Sequence, residues 1–123
     1  MHERLRRGID LPAGRVRAAF LLACVGDEVV GRVSIRFALN DWLEQFGGHV
    51  GYGVRPAHRR RGYAGEMLRQ SLVVARSEGV DRVLVVCDDD NLASAAVLLR
   101  GGGVESTPTV DAEGGRHRRF WIP

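Results

Sequence analysis

The chain contains no lysine: all 18 of its basic residues are arginine. With alanine, glycine and valine so abundant, this reads as a coding bias rather than an adaptation. Against 15 acidic residues the formal net charge is only +3. That is too little for a dedicated nucleic-acid surface and suits small anionic partners better. Aromatic residues are scarce at 7%, and the arginine cluster lacks interleaved rings on which bases could stack. Nucleic acid is therefore not an expected partner. No apolar run approaches the length of a membrane span, and no signal-peptide pattern precedes the first strand, so the expectation is a cytoplasmic protein away from membranes. Cys24 and Cys87 are the only cysteines. They lie in candidate buried strands without metal-ligand spacing, so they are read as reduced thiols, and no metal is expected.

What is present fits one α/β domain. The 123 residues suffice for a single core, and 45% hydrophobic content is ordinary for a globular chain. Residues 1–17 are arginine-rich and poor in apolar positions, and are expected to form an irregular arm. Residues 18–25 (AAFLLACV) and 29–37 alternate around the turn Gly26-Asp27-Glu28, the pattern of a hairpin with one buried face. Residues 39–46 can form one or two helical turns, since Leu39, Trp42, Leu43 and Phe46 share a face. A third strand is expected over 49–54 and a helix over 62–77, stopped by Gly79. The continuous apolar run 83–87 (VLVVC) reads as a strand covered on both faces. A second helix follows over 92–99, and a closing hairpin pairs 104–110 with 117–122. The result is a mixed, mostly antiparallel sheet with helices on its faces.

The organising stretch is RPAHRRRGYAGEMLR, residues 55–69, where a strand breaks at a glycine and opens into a helix. The first N–H groups of such a helix lack intrahelical partners and carry the positive end of its dipole, a ready seat for phosphate. Gly62 lets a ligand approach the backbone closely, and Ala64 keeps the first turn free of bulk.

The segment RRRGYA has the form R-x-x-G-x-A at a helix start, and about thirty residues on, CDDDNLASAAVLLRGGGV carries N-x-x-S at a second helix start. This ordered pair resembles the GNAT superfamily of acetyl-CoA-dependent N-acetyltransferases, in particular a bacterial branch of uncertain substrate. The resemblance covers residues 18–122. It implies direct transfer of acetyl from acetyl-CoA, as cosubstrate, to a primary amine of a small molecule or protein. It also implies that the pyrophosphate lies on the backbone of Arg59, Arg60, Arg61, Gly62, Tyr63 and Ala64. The pantetheine arm would run between the strands 49–54 and 83–87, with the Val54 N–H on the thioester carbonyl. Asn91, with Ser94 behind it, either reaches that arm or only caps the second helix.

Two departures from the family stand out. Many members carry, seven residues after the asparagine, a tyrosine that protonates the departing thiolate; here that residue is Leu98. Full-length members also place a strand and two helices before the hairpin, where only residues 1–17 stand here. The fold is thus expected to lack those elements and to compensate as a homodimer. A non-catalytic acyl-CoA-binding remnant is the alternative. His49 is the candidate base, because an imidazole can deprotonate an ammonium, or else a strand-end histidine without a catalytic part. Arg36 and Asn40 border the expected acceptor cleft, and His58 reads as a solvated turn residue. Consecutive Asp88, Asp89 and Asp90 favour the dipole of the second helix.

Overall fold

The computed structural model describes residues 16–123 and, as backbone, the strand β1 (His2–Arg7); residues 1 and 8–15 lie outside the described residues. A hairpin of β2 (Ala18–Val25) and β3 (Glu28–Arg36) comes first. A π-helical turn (Leu43–Gly47) leads into β4 (Val50–Val54). Then come α1 (Tyr63–Ser77), β5 (Val83–Asp88), α2 (Leu92–Arg100), β6 (Val104–Val110) and β7 (Arg116–Ile122). The seven strands form one sheet in the order β1-β2-β3-β4-β5-β7-β6. Every neighbouring pair is antiparallel except β4 and β5. The mixed, mostly antiparallel architecture expected from the alternation is the one observed.

The alternation decides what is buried. Ala19, Leu21 and Ala23 of β2, Val33 and Ile35 of β3, Val50 of β4, and Val83 and Val85 of β5 join one core cluster. Met67, Leu68, Leu72 and Ala75 of α1 and Ala95 and Leu98 of α2 close it, as their helical spacing predicts. Leu84 points to the opposite face yet is 0% exposed. β5 is therefore covered on both sides, which is why its sequence is apolar without a break.

The N-terminal segment departs from expectation. Residues 2–7 are not an irregular arm: they form β1 and pair antiparallel with β2, from His2 opposite Cys24 to Arg7 opposite Ala19. Backbone groups along a sheet edge need partners whatever the side chains are, so the edge of β2 overrides an arginine-rich composition. A strand thus precedes the hairpin after all. No helix precedes it among the described residues.

Candidate functional site

The site begins where β4 and β5 part. These two parallel strands share one ladder pair, Val50 with Val85. At their joined end Gly48 turns the chain at φ 68°, and a Cβ there would lie 2.5 Å from the Leu84 carbonyl oxygen, so only glycine fits. His49 follows, and its N–H donates to that same carbonyl at 2.7 Å. Its Nδ1 accepts the Leu84 N–H at 2.9 Å. Beyond this clasp the strands diverge.

The phase of β4 fixes what faces the gap. The Arg36 N–H donates to the His49 carbonyl and the Arg55 N–H to the Val30 carbonyl. With Val50 opposite Ile35 and Val54 opposite Gly31, both are non-hydrogen-bonded pairs of the β3–β4 ladder. Val50, Tyr52 and Val54 therefore turn their N–H and C=O groups away from β3 and towards β5. The Val54 carbonyl is taken by Arg59 Nε at 3.1 Å.

At the outer end of β4 the chain passes through a short 3-10 turn (Pro56–His58) and reaches α1 with Arg60 at φ 64° and Gly62 at φ 80°. Gly62 is the N-cap, and no side chain caps the helix. The first intrahelical bond runs from the Glu66 N–H to the Gly62 carbonyl. The N–H groups of Tyr63, Ala64 and Gly65 therefore have no partner within the helix. A Cβ at Gly62 or Gly65 would meet nothing within 4 Å, so the ground over these donors is open. Arg59, Arg60 and Arg61 are exposed around it. His58 is buried rather than solvated: Nε2 meets Glu28 Oε1 at 3.0 Å, and Nδ1 has no partner.

Between the diverging strands lies a cleft of about 710 Å³, bordered by Tyr52 of β4, Cys87 and Asp88 of β5, Asn91 and Ser94 of α2, Phe46, and His117 of β7. The Tyr52 hydroxyl and Ser94 Oγ are 2.9 Å apart across it. Burial raises the Tyr52 phenol above its ordinary pKa, opposed in part by the Ser94 hydrogen bond. Burial also pushes the Cys87 thiol up, which keeps it protonated and unreactive. Asn91 Oδ1 accepts the Ser94 N–H at 3.1 Å, so Asn91 is the N-cap of α2 and borders the cleft at once. Leu98 is 0% exposed in the core.

The structure thus brings Asn91 and Ser94 together in the cleft, ends β4 at Val54, and carries residues 59–64 through the turn into the start of α1. Three expected residues stand elsewhere. His49 is buried at the clasp and does not border the cleft, and its ring already accepts a backbone N–H. Burial lowers its pKa. This geometry makes it a strand fastener. Arg36 donates to the Gly47 and Gly48 carbonyls at 3.2 and 3.5 Å, fastening the turn before β4, and does not border the cleft either. Asn40 Oδ1 accepts the Leu43 N–H at 2.8 Å and caps the π-helical turn. Conversely, sequence reasoning missed Tyr52 and His117. His117 Nε2 lies 2.8 Å from Asp111 Oδ2, Nδ1 lies 3.3 Å from Asp88 Oδ1, and its ring stands edge-on to Phe46. Among the described residues no cluster of acids, histidines and cysteines has the geometry to hold a metal ion, and no helix is long and apolar enough to cross a membrane.

A free strand edge that leads to an uncapped helix N-terminus fits a long ligand with amides along its length and a pyrophosphate at its end. That is the shape of an acyl-CoA. The chain belongs to the acetyltransferase (GNAT) domain family, whose sequence model matches residues 3–104. Among solved structures it is similar to the GNAT domain of S. lividans PAT, at 21% identity and TM-score 0.67, covering 85% of this chain and 61% of that one. It is also similar to yncA from Salmonella typhimurium, a putative acetyltransferase solved with its cofactor acetyl-CoA, at 18% identity and TM-score 0.67, covering 85% and 64%. A spermidine N-acetyltransferase variant from Vibrio cholerae matches at 13% identity and TM-score 0.70, covering 85% and 64%. At these identities the likeness is one of fold, and the chain spans 61% to 64% of the length of these three structures. No curated protein matches the chain.

Proposed function

We propose that this protein transfers an acetyl group from acetyl-CoA directly to a primary amine of a small molecule or protein. The observation that carries the reading is the single ladder pair between β4 and β5, with the gap beyond it running to the uncapped start of α1. Acetyl-CoA supplies an activated thioester, whose carbonyl carbon an uncharged amine attacks with loss of the thiol. The N–H groups of residues 62–65 are suited to the pyrophosphate, with the arginines around them. Val54 and Tyr52 offer successive N–H groups along the gap. A strand rises about 3.3 Å per residue, so Tyr52 stands farther from the phosphate turn and nearer the clasp. Its N–H is therefore the one assigned to the thioester carbonyl, and that of Val54 to the pantetheine arm.

The Tyr52 hydroxyl is assigned the role that the resemblance gives to a second-helix tyrosine. It borders the same cleft, burial keeps it protonated, and Ser94 orients it. The thiolate takes its proton as the carbon–sulfur bond breaks, and Ser94 provides the path for reprotonation. Asn91 orders the first turn of α2 on which Ser94 sits.

We further infer one domain that includes β1, a cytoplasmic location consistent with two buried free cysteines, and a homodimer. The dimer is suggested by the outward side chains Phe20 and Leu22 of β2, 52% and 41% exposed on the face that the helices do not cover. The test of function is calorimetry with acetyl-CoA, followed by coenzyme A release against a panel of primary amines. Binding without release for any amine would favour a non-catalytic acyl-CoA-binding module.

A further inference from the structure

We propose, resting on the acetyl-transfer reading above, that His117 is the general base that deprotonates the acceptor. In this assignment Asp111 is its orienting carboxylate, Asp88 is the anion that draws the acceptor in, and the acceptor is a cationic amine. The two ring nitrogens of His117 are not equivalent. Nε2 is hydrogen-bonded to Asp111 Oδ2 at 2.8 Å. Nδ1 makes no hydrogen bond within the described protein, although Asp88 Oδ1 stands 3.3 Å away, and both residues border the cleft. A carboxylate on Nε2 holds the proton there and leaves the Nδ1 lone pair for a ligand, the division of labour of a histidine base with a carboxylate partner.

Asp111 is built for the orienting part. Its Oδ1 accepts the N–H groups of Glu113 and Gly115 at 3.0 and 2.8 Å, which leaves Oδ2 aimed at the imidazole. Gly115 is needed for this placement, because a Cβ there would lie 2.6 Å from Asp111 Oδ2. The Phe46 ring, edge-on at 5.4 Å, walls the imidazole on the side of the π-helical turn. The ionisable groups around the ring are Asp88 and Cys87 from β5 and Asp111 and Glu113 from the β6–β7 turn. Arg116, next along β7, is 3.5 Å from Asp89, and Arg119 donates to the Glu44 carbonyl. Thr109 of β6, opposite His117 in register, is uncharged, so the balance at the ring is acidic.

Nδ1 and Asp88 Oδ1 are 3.3 Å apart, so an ammonium to one side of the pair, facing the cleft, can donate to both. The step is a proton transfer: one N–H bond of the ammonium breaks and its proton bonds to Nδ1. The electron pair stays on the amine nitrogen, now free to attack, and the imidazolium rests between two carboxylates. The arrangement also explains why His49 is not needed as a base.

The experiment compares the parent with His117→Gln, Asp111→Asn and Gly115→Ala, using putrescine and an alanyl dipeptide as acceptors and calorimetry for acetyl-CoA. The expected result is unchanged acetyl-CoA affinity in all variants. Turnover should fall by about a hundred-fold or more in His117→Gln. Gly115→Ala displaces the carboxylate without touching the core and should reproduce part of the loss. Independent of activity, nitrogen NMR of the free protein should find His117 as the Nε2–H tautomer, and Asp111→Asn should abolish that preference. Normal acetyl-CoA binding with parental turnover in His117→Gln overturns the base assignment alone. So does an Nδ1–H tautomer in the parent. No acetyl-CoA binding by the parent overturns the functional reading beneath it, and this assignment with it.

Discussion

His49 and Leu84 are joined twice, because the Leu84 carbonyl accepts the His49 N–H at 2.7 Å while the Leu84 N–H donates to His49 Nδ1 at 2.9 Å. One residue of β5 so finds both backbone partners in the residue that precedes β4. The strands are fastened at that point and left free beyond it. Opening the gap thus depends on a side chain standing in for a rung of the ladder.

Acidification should release this fastener. Burial lowers the His49 pKa, whereas an unfolded histidine titrates near about 6.5. Between the lowered value and about 6.5 the unfolded chain binds more protons, so stability falls as pH falls through that window. Urea midpoints at a series of pH values should show the loss. His49→Asn, whose amide oxygen can still accept the Leu84 N–H, should flatten it. Equal slopes in both proteins would remove His49 from the account.

Gly62→Val should abolish measurable acetyl-CoA binding. The side chain would project into the open ground over the α1 donors, where a Cβ now meets nothing within 4 Å. A branched residue at φ 80° also costs about 1–2 kcal/mol of fold stability, so a thermal melt accompanies the calorimetry. Parental affinity in the folded variant would sink the phosphate assignment.

Tyr52→Phe should keep acetyl-CoA affinity while lowering turnover by about ten- to a hundred-fold and removing the alkaline limb of the rate profile. The sign follows from burial, which raises the phenol pKa and keeps the hydroxyl a donor to higher pH. Leu98→Tyr should not rescue the variant, because that position is 0% exposed and a larger side chain would only strain the core. Parental turnover in Tyr52→Phe would assign thiolate protonation to water.

The outward face of β2 should mediate self-association. Light scattering at micromolar concentration is expected to give twice the chain mass, and Phe20→Glu should give a monomer. A parent that runs as a monomer would show that these side chains tolerate water in isolation.

Local signals were legible in the sequence and distant partnerships were not. Asn91 and Ser94 are three residues apart, so one reading of the spacing yields both the cap and its place at the cleft. The left-handed Gly62 ahead of α1 is equally local. His49, by contrast, takes its meaning from a residue thirty-five positions on, and nothing near it in the sequence announces Leu84. β1 escaped notice because its pairing is a property of backbone edges, to which arginine-rich composition is a poor guide. His117 left a usable trace: DAEGG is an Asx-type turn whose aspartate bonds forward to the N–H groups two and four residues on. Such a turn sets its second carboxylate oxygen towards the start of the next strand, where a histidine waits.

The ion pairs of the surface have a chemical consequence. Arg118 grips Glu105 through two parallel hydrogen bonds of 2.7 and 2.8 Å, Arg17 reaches Glu78 at 3.1 Å, and Arg69 meets Glu66. Each of these cations is a guanidinium, which stays protonated and presents no lone pair at neutral pH. An ε-amine near a reactive thioester is slowly acylated without any enzyme, and a lysine-rich surface would lose its charges that way. A chain without lysine has no ε-amine to lose, so if it binds acetyl-CoA as proposed, its arginine charges are not open to that reaction.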